Sequence, residues 1–290
     1  MVVIWGANFS AIKLALEDFP EIPFNAFRLL LASAVFLTAI AVGRRPVLSR
    51  AEWLRLAFLG LIGHFSYQLC FLAGVARTSV ANSALIFGCT PVAVAFMSSI
   101  AGHERITWPR WAGAALSFAG LVAVVGHGAN LSRATLAGDA LIFTGMLCWS
   151  LYSVSSQPLL ERHSPLLVTG VSMAIGTVPY LLVAIGPMLN TNWAGISRTS
   201  WLLMTASSLL ALALAYMIWS TGVQRIGSAR TSVYSNLTPV VAMAIGAVLL
   251  GERVGGWQLI GAALILTGLA VARVRPAARQ RPSPASGGQS

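Results

Sequence analysis

Ten apolar runs fill this chain almost from end to end, at roughly 2–16, 25–43, 54–75, 80–101, 109–126, 138–157, 165–186, 201–221, 229–250 and 256–273. A helix needs about 20 mostly apolar residues to cross a bilayer. Hydrophobic residues make up 57% of the chain and charged residues only 9%, whereas soluble domains carry about 25% charged residues. Too little charge remains to cover a water-facing surface. The formal charge is +11, yet the cations stand singly between apolar runs instead of clustering on one face, which argues against nucleic-acid binding. The expected fold is an all-α integral membrane protein of ten transmembrane helices. Beyond Arg273 the Pro-, Ser-, Gly- and Arg-rich sequence reads as a disordered cytoplasmic tail over 274–290.

The first run is short, so helix 1 is either tilted and shallow or continues upstream of Met1. Cys70, Cys89 and Cys148 lie inside apolar runs with no Cys-x-x-Cys pair, so neither a metal nor a redox cofactor is expected. Lys and Arg accumulate in cytoplasmic links. Threading ten spans from a cytoplasmic N-terminus puts 13 cations inside and 4 (Arg77, Arg133, Arg198 and Arg253) outside, with Lys13 and Arg28 near the outer ends of the first two helices. Both termini are therefore expected in the cytoplasm.

The second half echoes the first. At an offset of 148, Phe71–Arg77 aligns with Trp219–Arg225, Thr90-Pro91-Val92 with Thr238-Pro239-Val240, and Glu104-Arg105 with Glu252-Arg253. Gly113 and Gly120 fall on Gly261 and Gly268 at the same offset. Near the start the offset is 144, pairing Trp5 with Trp149 and Glu17 with Glu161. The repeating unit is five helices, and an odd number sends the second unit into the membrane from the opposite side. Two inverted five-helix repeats, 1–126 and 138–273, are expected, joined by a periplasmic connector over 127–137. Such inverted repeats are typical of secondary transporters; a plain duplication in a membrane enzyme or scaffold is the structural alternative.

Trp5-Gly6-Ala7-Asn8-Phe9 through Lys13, Thr90-Pro91 followed by Gly102-x-Glu104-Arg105, and Thr238-Pro239 followed by Gly251-Glu252-Arg253 resemble EamA-type permeases of the drug/metabolite transporter superfamily. The resemblance covers about 5–273 and occurs twice. It implies ten helices, a pocket between the repeats, and export of small metabolites or amino acids across a bacterial inner membrane. No cofactor is expected, and the small-residue faces at Gly113, Ser117 and Gly120 and at Gly261 and Gly268 read as close packing or a dimer contact, so a monomer or homodimer is expected. Small multidrug members of the superfamily exchange protons through a carboxylate inside helix 1. Here the eight acids fall at helix ends or in links, so that mechanism is not expected.

Several residues are candidates for handling a small-molecule substrate. His64, Tyr67, Gln68 and Phe71 follow i, i+3, i+4, i+7 and share one helical face, matched in the other half by Tyr216 and Trp219. Polar groups at mid-bilayer face the bundle interior or an aqueous path, and His64 titrates near neutrality, so it is the candidate for ion coupling. Trp5, Asn8 and Phe9, with counterparts Trp149 and Tyr152, form an aromatic stripe suited to a small amphipathic ligand; anchoring at the membrane interface is the alternative for Trp5. Pro91 and Pro239 interrupt two helices and deprive the carbonyls of Phe87 and Ser235 of a partner. They read either as packing kinks or as hinges beside the ligand, with Asn82 and Asn236 nearby. Lys13 either pairs with Glu17, Asp18 or Glu21, as does Arg28, or binds a substrate carboxylate. Glu104, Arg105, Glu252 and Arg253 read as gates or interface contacts. A nucleotide-driven pump is excluded, because the only lysine, Lys13, follows Ile12 and no Gly-Lys-Ser/Thr exists. An intramembrane transferase or a channel remains as an alternative.

Overall fold

The computed structural model describes residues 1–43, 47–102, 108–109, 112–113, 115–116, 119–120, 123, 133–251 and 255–272. Regular structure among the described residues is helical throughout. The chain opens with α1 (Val2–Ala15) and α2 (Glu21–Val42). The next two helices are α3 (Arg50–Arg77) and α4 (Val80–Ile100). Then come α5 (Arg133–Leu160), α6 (Pro165–Leu189) and α7 (Arg198–Ile226). The described part ends with α8 (Ser228–Val233), α9 (Thr238–Leu250) and α10 (Gly256–Ala272). Six of these, α2 to α7, are long and apolar enough to cross a bilayer. At 14 residues α1 rises only about 21 Å, short of the hydrocarbon thickness.

Serines start four of the six long helices. Ser49, Ser79, Ser164 and Ser197 each accept from a backbone N–H three residues on, using an otherwise orphaned first-turn donor. Ser49 and Glu52 form a full capping box, with Glu52 Oε2 accepting from the Ser49 N–H at 2.9 Å. At the equivalent start of α7, position 200 is a serine, and Asp18 from the α1–α2 link accepts the Ser197 N–H at 3.0 Å instead. The link between α5 and α6 braces the α3 cap from its other side, where His163 Nε2 meets Glu52 Oε1 at 2.8 Å. Gly227 (φ 84°) gives the left-handed turn that separates α7 from α8.

Both long central helices widen part-way into π geometry, α3 over Leu61–Ser66 and α7 over Ser207–Leu214. These stretches overlap at the offset of 148. The proline segments are also broken, but earlier than mid-helix. The helix of Val80–Phe87 ends in a turn at Gly88–Cys89, and Pro91 lies in the first turn of Thr90–Ile100, where its missing N–H costs no hydrogen bond. The Phe87 carbonyl is taken by Thr90 Oγ1 at 2.6 Å. In the other half a 3-10 turn over Tyr234–Leu237 precedes Thr238 and Pro239.

The packing is that of a membrane protein: leucines such as Leu182 and Leu202 face outward while Asn25, Arg28, His64, Gln68, Asn82 and Asp139 are buried. α2 packs most extensively on α6, α1 on α9, and α5 on the Tyr67–Arg77 half of α3. Gly170 of α6 meets Phe36 and Ile40 of α2, and seven residues later Thr177 Oγ1 bonds Ser33 Oγ at 2.9 Å. Position rises on one helix as it falls on the other, so α2 and α6 run antiparallel. Small residues let backbones touch elsewhere. Gly60 lies against Ser172 and Gly176. Among the helical residues described within 108–123, Gly120 lies against Gly261 and Ile265 of α10.

Two expectations need correction. Asp139 is not at a helix end: α5 starts at Arg133, inside the expected connector, and Asp139 is 3% exposed within it. Arg28 does not pair with the acids near Glu17. Glu21 binds Arg77 (2.8 Å), Asp18 binds the start of α7, and Arg28 lies two turns deeper in α2.

Candidate functional site

A cavity of about 40 Å³, counted over positions a water centre can occupy, lies where α1, α2, α3, α4, α5, α7 and the Tyr234–Pro239 segment converge. That is room for about three waters, so a larger ligand requires the walls to part. Aromatic rings dominate these walls. Trp5 and Trp149, equivalent at offset 144, meet edge-on with centroids 5.7 Å apart. Tyr216 stands 4.9 Å from Trp149. Phe9 meets Phe71 at 5.4 Å, and Phe71 meets Phe87 at 5.5 Å. Trp5 lines the cavity, and its Nε1–H donates to the Ala211 carbonyl at 3.1 Å, within the π stretch of α7.

Few polar groups punctuate this lining. Gln68 Nε2 donates to Tyr216 Oη at 3.2 Å, and these two positions are equivalent at offset 148. Asn8 accepts from Ser207 Oγ. Gln68 Oε1 and Thr238 Oγ1 have no hydrogen-bond partner. Arg28 also lines the cavity. It is 1% exposed, gives Nη1 to Asn25 Oδ1 at 2.9 Å, and holds an unpartnered Nε.

Of the residues expected from sequence, Asn8, Tyr67, Gln68, Trp149, Tyr216 and Pro239 line this cavity. His64, Tyr152 and Trp219 stand one layer behind. His64 is fully buried and shares its Nε2 with Ser172 Oγ at 3.2 Å, with Tyr152 and Tyr216 rings 5.0 and 5.6 Å away. Trp219 packs on Trp5 (5.6 Å) and Trp149 (5.3 Å).

Lys13 and Asn82 belong to a second cluster at the Arg77 end of α3. Lys13 Nζ donates to the carbonyls of Val75 (3.0 Å), Ala76 (3.4 Å) and Thr78 (2.7 Å), a cation closing the C-terminus of a helix. Thr78 Oγ1 donates to Asp139 at 2.6 Å, and Asn82 Nδ2 reaches the same carboxylate at 3.3 Å. Asn82 Oδ1 in turn accepts from Gln258 of α10 at 2.9 Å. Pro91 is absent from the cavity lining. Glu104, Arg105, Glu252 and Arg253 lie outside the described residues, as does the side chain of Asn236.

Sequence reasoning passed over Arg28 and Phe87 as lining residues. The signal for Arg28 was available: a cation one turn inside an apolar run is costly unless it faces the bundle interior.

This convergence of apolar helices on a small aromatic chamber agrees with what the chain resembles. The profile of the EamA-like transporter family matches residues 1–126 and again 136–274. The chain belongs to that family. It is 30% identical over 275 residues to the "Uncharacterized transporter YyaM" of Bacillus subtilis, covering 93% of this chain and 90% of that one. It is 29% identical to a "Probable terminal-alkyne amino-acid exporter" of Streptantibioticus cattleyicolor (97% and 93% covered). A "Probable amino-acid metabolite efflux pump" of Salmonella typhimurium is 28% identical (96% and 95% covered). One solved crystal structure aligns over 94% of both chains with a TM-score of 0.67 at 23% identity, a likeness of fold. This EamA-family chain is a multi-pass membrane protein whose relatives carry transporter names.

Proposed function

We propose that this chain is a secondary transporter that exports small metabolites or amino acids by alternating access. It crosses a bacterial inner membrane ten times, as two inverted five-helix repeats with both termini in the cytoplasm. The chamber between the repeats is the cargo site. The observation that carries this reading is the crossing of α2 and α6. These helices are equivalent at offset 144, run antiparallel, and meet at Ser33 and Thr177, which are themselves equivalent. Only residues near a two-fold axis touch their own counterparts. Antiparallel counterparts support an axis that lies across the helices, in the membrane plane, the symmetry of alternating-access carriers. Gln68 with Tyr216 and Trp5 with Trp149 are further self-equivalent contacts, and both line the cavity. The amino-acid class of cargo draws support from the names of two relatives.

The test has two arms. In a background lacking Cys70, Cys89 and Cys148, single cysteines at the exposed starts of α3 and α7, Arg50→Cys and Arg198→Cys, should react with impermeant thiol reagents from opposite faces. Labelling from one face overturns the inverted architecture. Proteoliposomes preloaded with pooled amino acids and amphipathic metabolites should release a subset in a protein-dependent way. Chemical conversion of a cargo without its movement across the bilayer overturns the transport reading.

A further inference from the structure

Among the described residues Arg28 is the one charged side chain in the wall of the central cavity. Its guanidinium cannot shed its proton in a protein, so the chamber holds a fixed positive charge. Among the described residues no carboxylate answers it. Glu21 is held by Arg77 (2.8 Å), Asp18 by Ser197, and Asp139 by Thr78 and Asn82. Its neighbours are the Asn25 amide oxygen at 2.9 Å and the Phe24 ring, 5.5 Å from the guanidinium carbon. A buried cation left with free donors is costly, and the Arg28 carbonyl is pinned by Ser208 Oγ (2.7 Å), which fixes this part of α2 against the π stretch of α7.

We infer that Arg28 receives the carboxylate of the cargo, and that the cargo is an organic anion or zwitterion with an apolar body. The inference rests on the reading of this cavity as the cargo site. A guanidinium offers two parallel N–H donors to a carboxylate, and the facing rings of Trp5, Trp149, Tyr216, Phe9 and Phe71 accept the apolar part. An aromatic chamber alone suits an organic cation equally well. The Arg28 charge decides the sign against that. Lys13, the other intramembrane cation considered from sequence, is directed at three helix-end carbonyls.

Three probes of one shape separate the cases: 3-phenylpropionate, 3-phenylpropionamide and 3-phenylpropylamine. They are titrated into the full chain in lipid nanodiscs and followed by tryptophan fluorescence. The acid should bind at least tenfold tighter than the amide, and the amine weakest. This ranking in the wild type needs no variant to fold. Arg28→Gln should bring acid and amide to equal affinity, and Arg28→Lys should keep the preference for acid at reduced size. Equal binding of acid and amide in the wild type, or preference for the amine, overturns the role of Arg28 while leaving transport untouched. Binding of none of the three overturns it as well. If preloaded proteoliposomes also release nothing, the transport reading falls with it.

Discussion

Gly60 offers the most direct test of how closely the two halves are fitted. A Cβ built there would stand 2.6 Å from the Ser172 carbonyl oxygen and 3.0 Å from the Gly176 nitrogen. Both are backbone atoms, so no side-chain rotation relieves the clash. Reaching ordinary contact near 3.4 Å requires α3 and α6 to part by roughly 0.8 Å at their crossing, in an interior packed to crystal density. Overpacking of this kind costs about 1–3 kcal/mol, offset by about 0.5–1 kcal/mol for the helix preference of Ala over Gly. Gly60→Ala should therefore lose a net ~0–2.5 kcal/mol, centred on ~1. Gly256, where an added Cβ meets nothing within 4 Å, gives the control: Gly256→Ala should gain about 0.4–1 kcal/mol. The assay is equilibrium unfolding in mixed detergent micelles with rising dodecyl sulfate, followed by circular dichroism. Opposite signs are expected. If Gly60→Ala gains stability as Gly256→Ala does, the close crossing beside His64 and Ser172 is wrong.

Two further outcomes follow from contacts between the halves. Gln68→Leu and Tyr216→Phe should couple in a double-mutant cycle by about 0.6 kcal/mol and no more than ~1.7, the range for hydrogen bonds between membrane helices. Strictly additive effects in the same unfolding assay would dissolve the bond. Hydrogen bonds from the Ser200 and Ser197 hydroxyls hold the Asp18 carboxyl below its ordinary range. The folded state therefore binds this proton less readily than the unfolded one. The stabilisation is complete above the unfolded value near 3.9 and disappears as pH falls through the folded value. Asp18→Ala should flatten that acid limb of stability against pH, and an unchanged limb would show that the link does not cap α7.

The long spans were readable because lipid leaves the sequence little freedom: runs at 25–43, 165–186 and 201–221 each fall within or nearly within a helix of the structure. The stripe Tyr67, Gln68 and Phe71 was readable for the same reason, being ordinary α-helix. His64 was not, because Leu61–Ser66 is π-helical. A π turn holds more residues than an α turn, so the i, i+3 count that put His64 beside Tyr67 overstates their common face. The ring is swung towards Ser172 instead. Pro91 falls at the middle of α4, as its run implies, but Gly88 followed by Pro91 is also a stop-and-restart signal, and the structure ends one helix at Phe87 and begins the next at Thr90. Arg28 was assigned to nearby acids by closeness in sequence. Seven residues of helix beyond Glu21 amount to about 10 Å of depth, more than that pairing can bridge.

The departures from equivalence say more about chemistry than the equivalences do. At offset 144 the counterpart of Arg28 is Ser172, and at offset 148 the counterpart of Gly60 is Ser208. Gly60 lets its helix rest on the Ser172 backbone, while Ser208 bonds the Arg28 carbonyl, so the same crossing is built twice. Only one copy carries a charge into the cavity; the other turns a hydroxyl to His64. Gln68 and Tyr216 differ in the same way across the axis. The cavity therefore has unlike walls: α2 brings the cation Arg28, while the rings come from α1, α3, α4, α5 and α7. On the proposed reading of this cavity as the cargo site, a cargo with two unlike ends binds it in one orientation, its carboxylate at Arg28 and its apolar body among the rings.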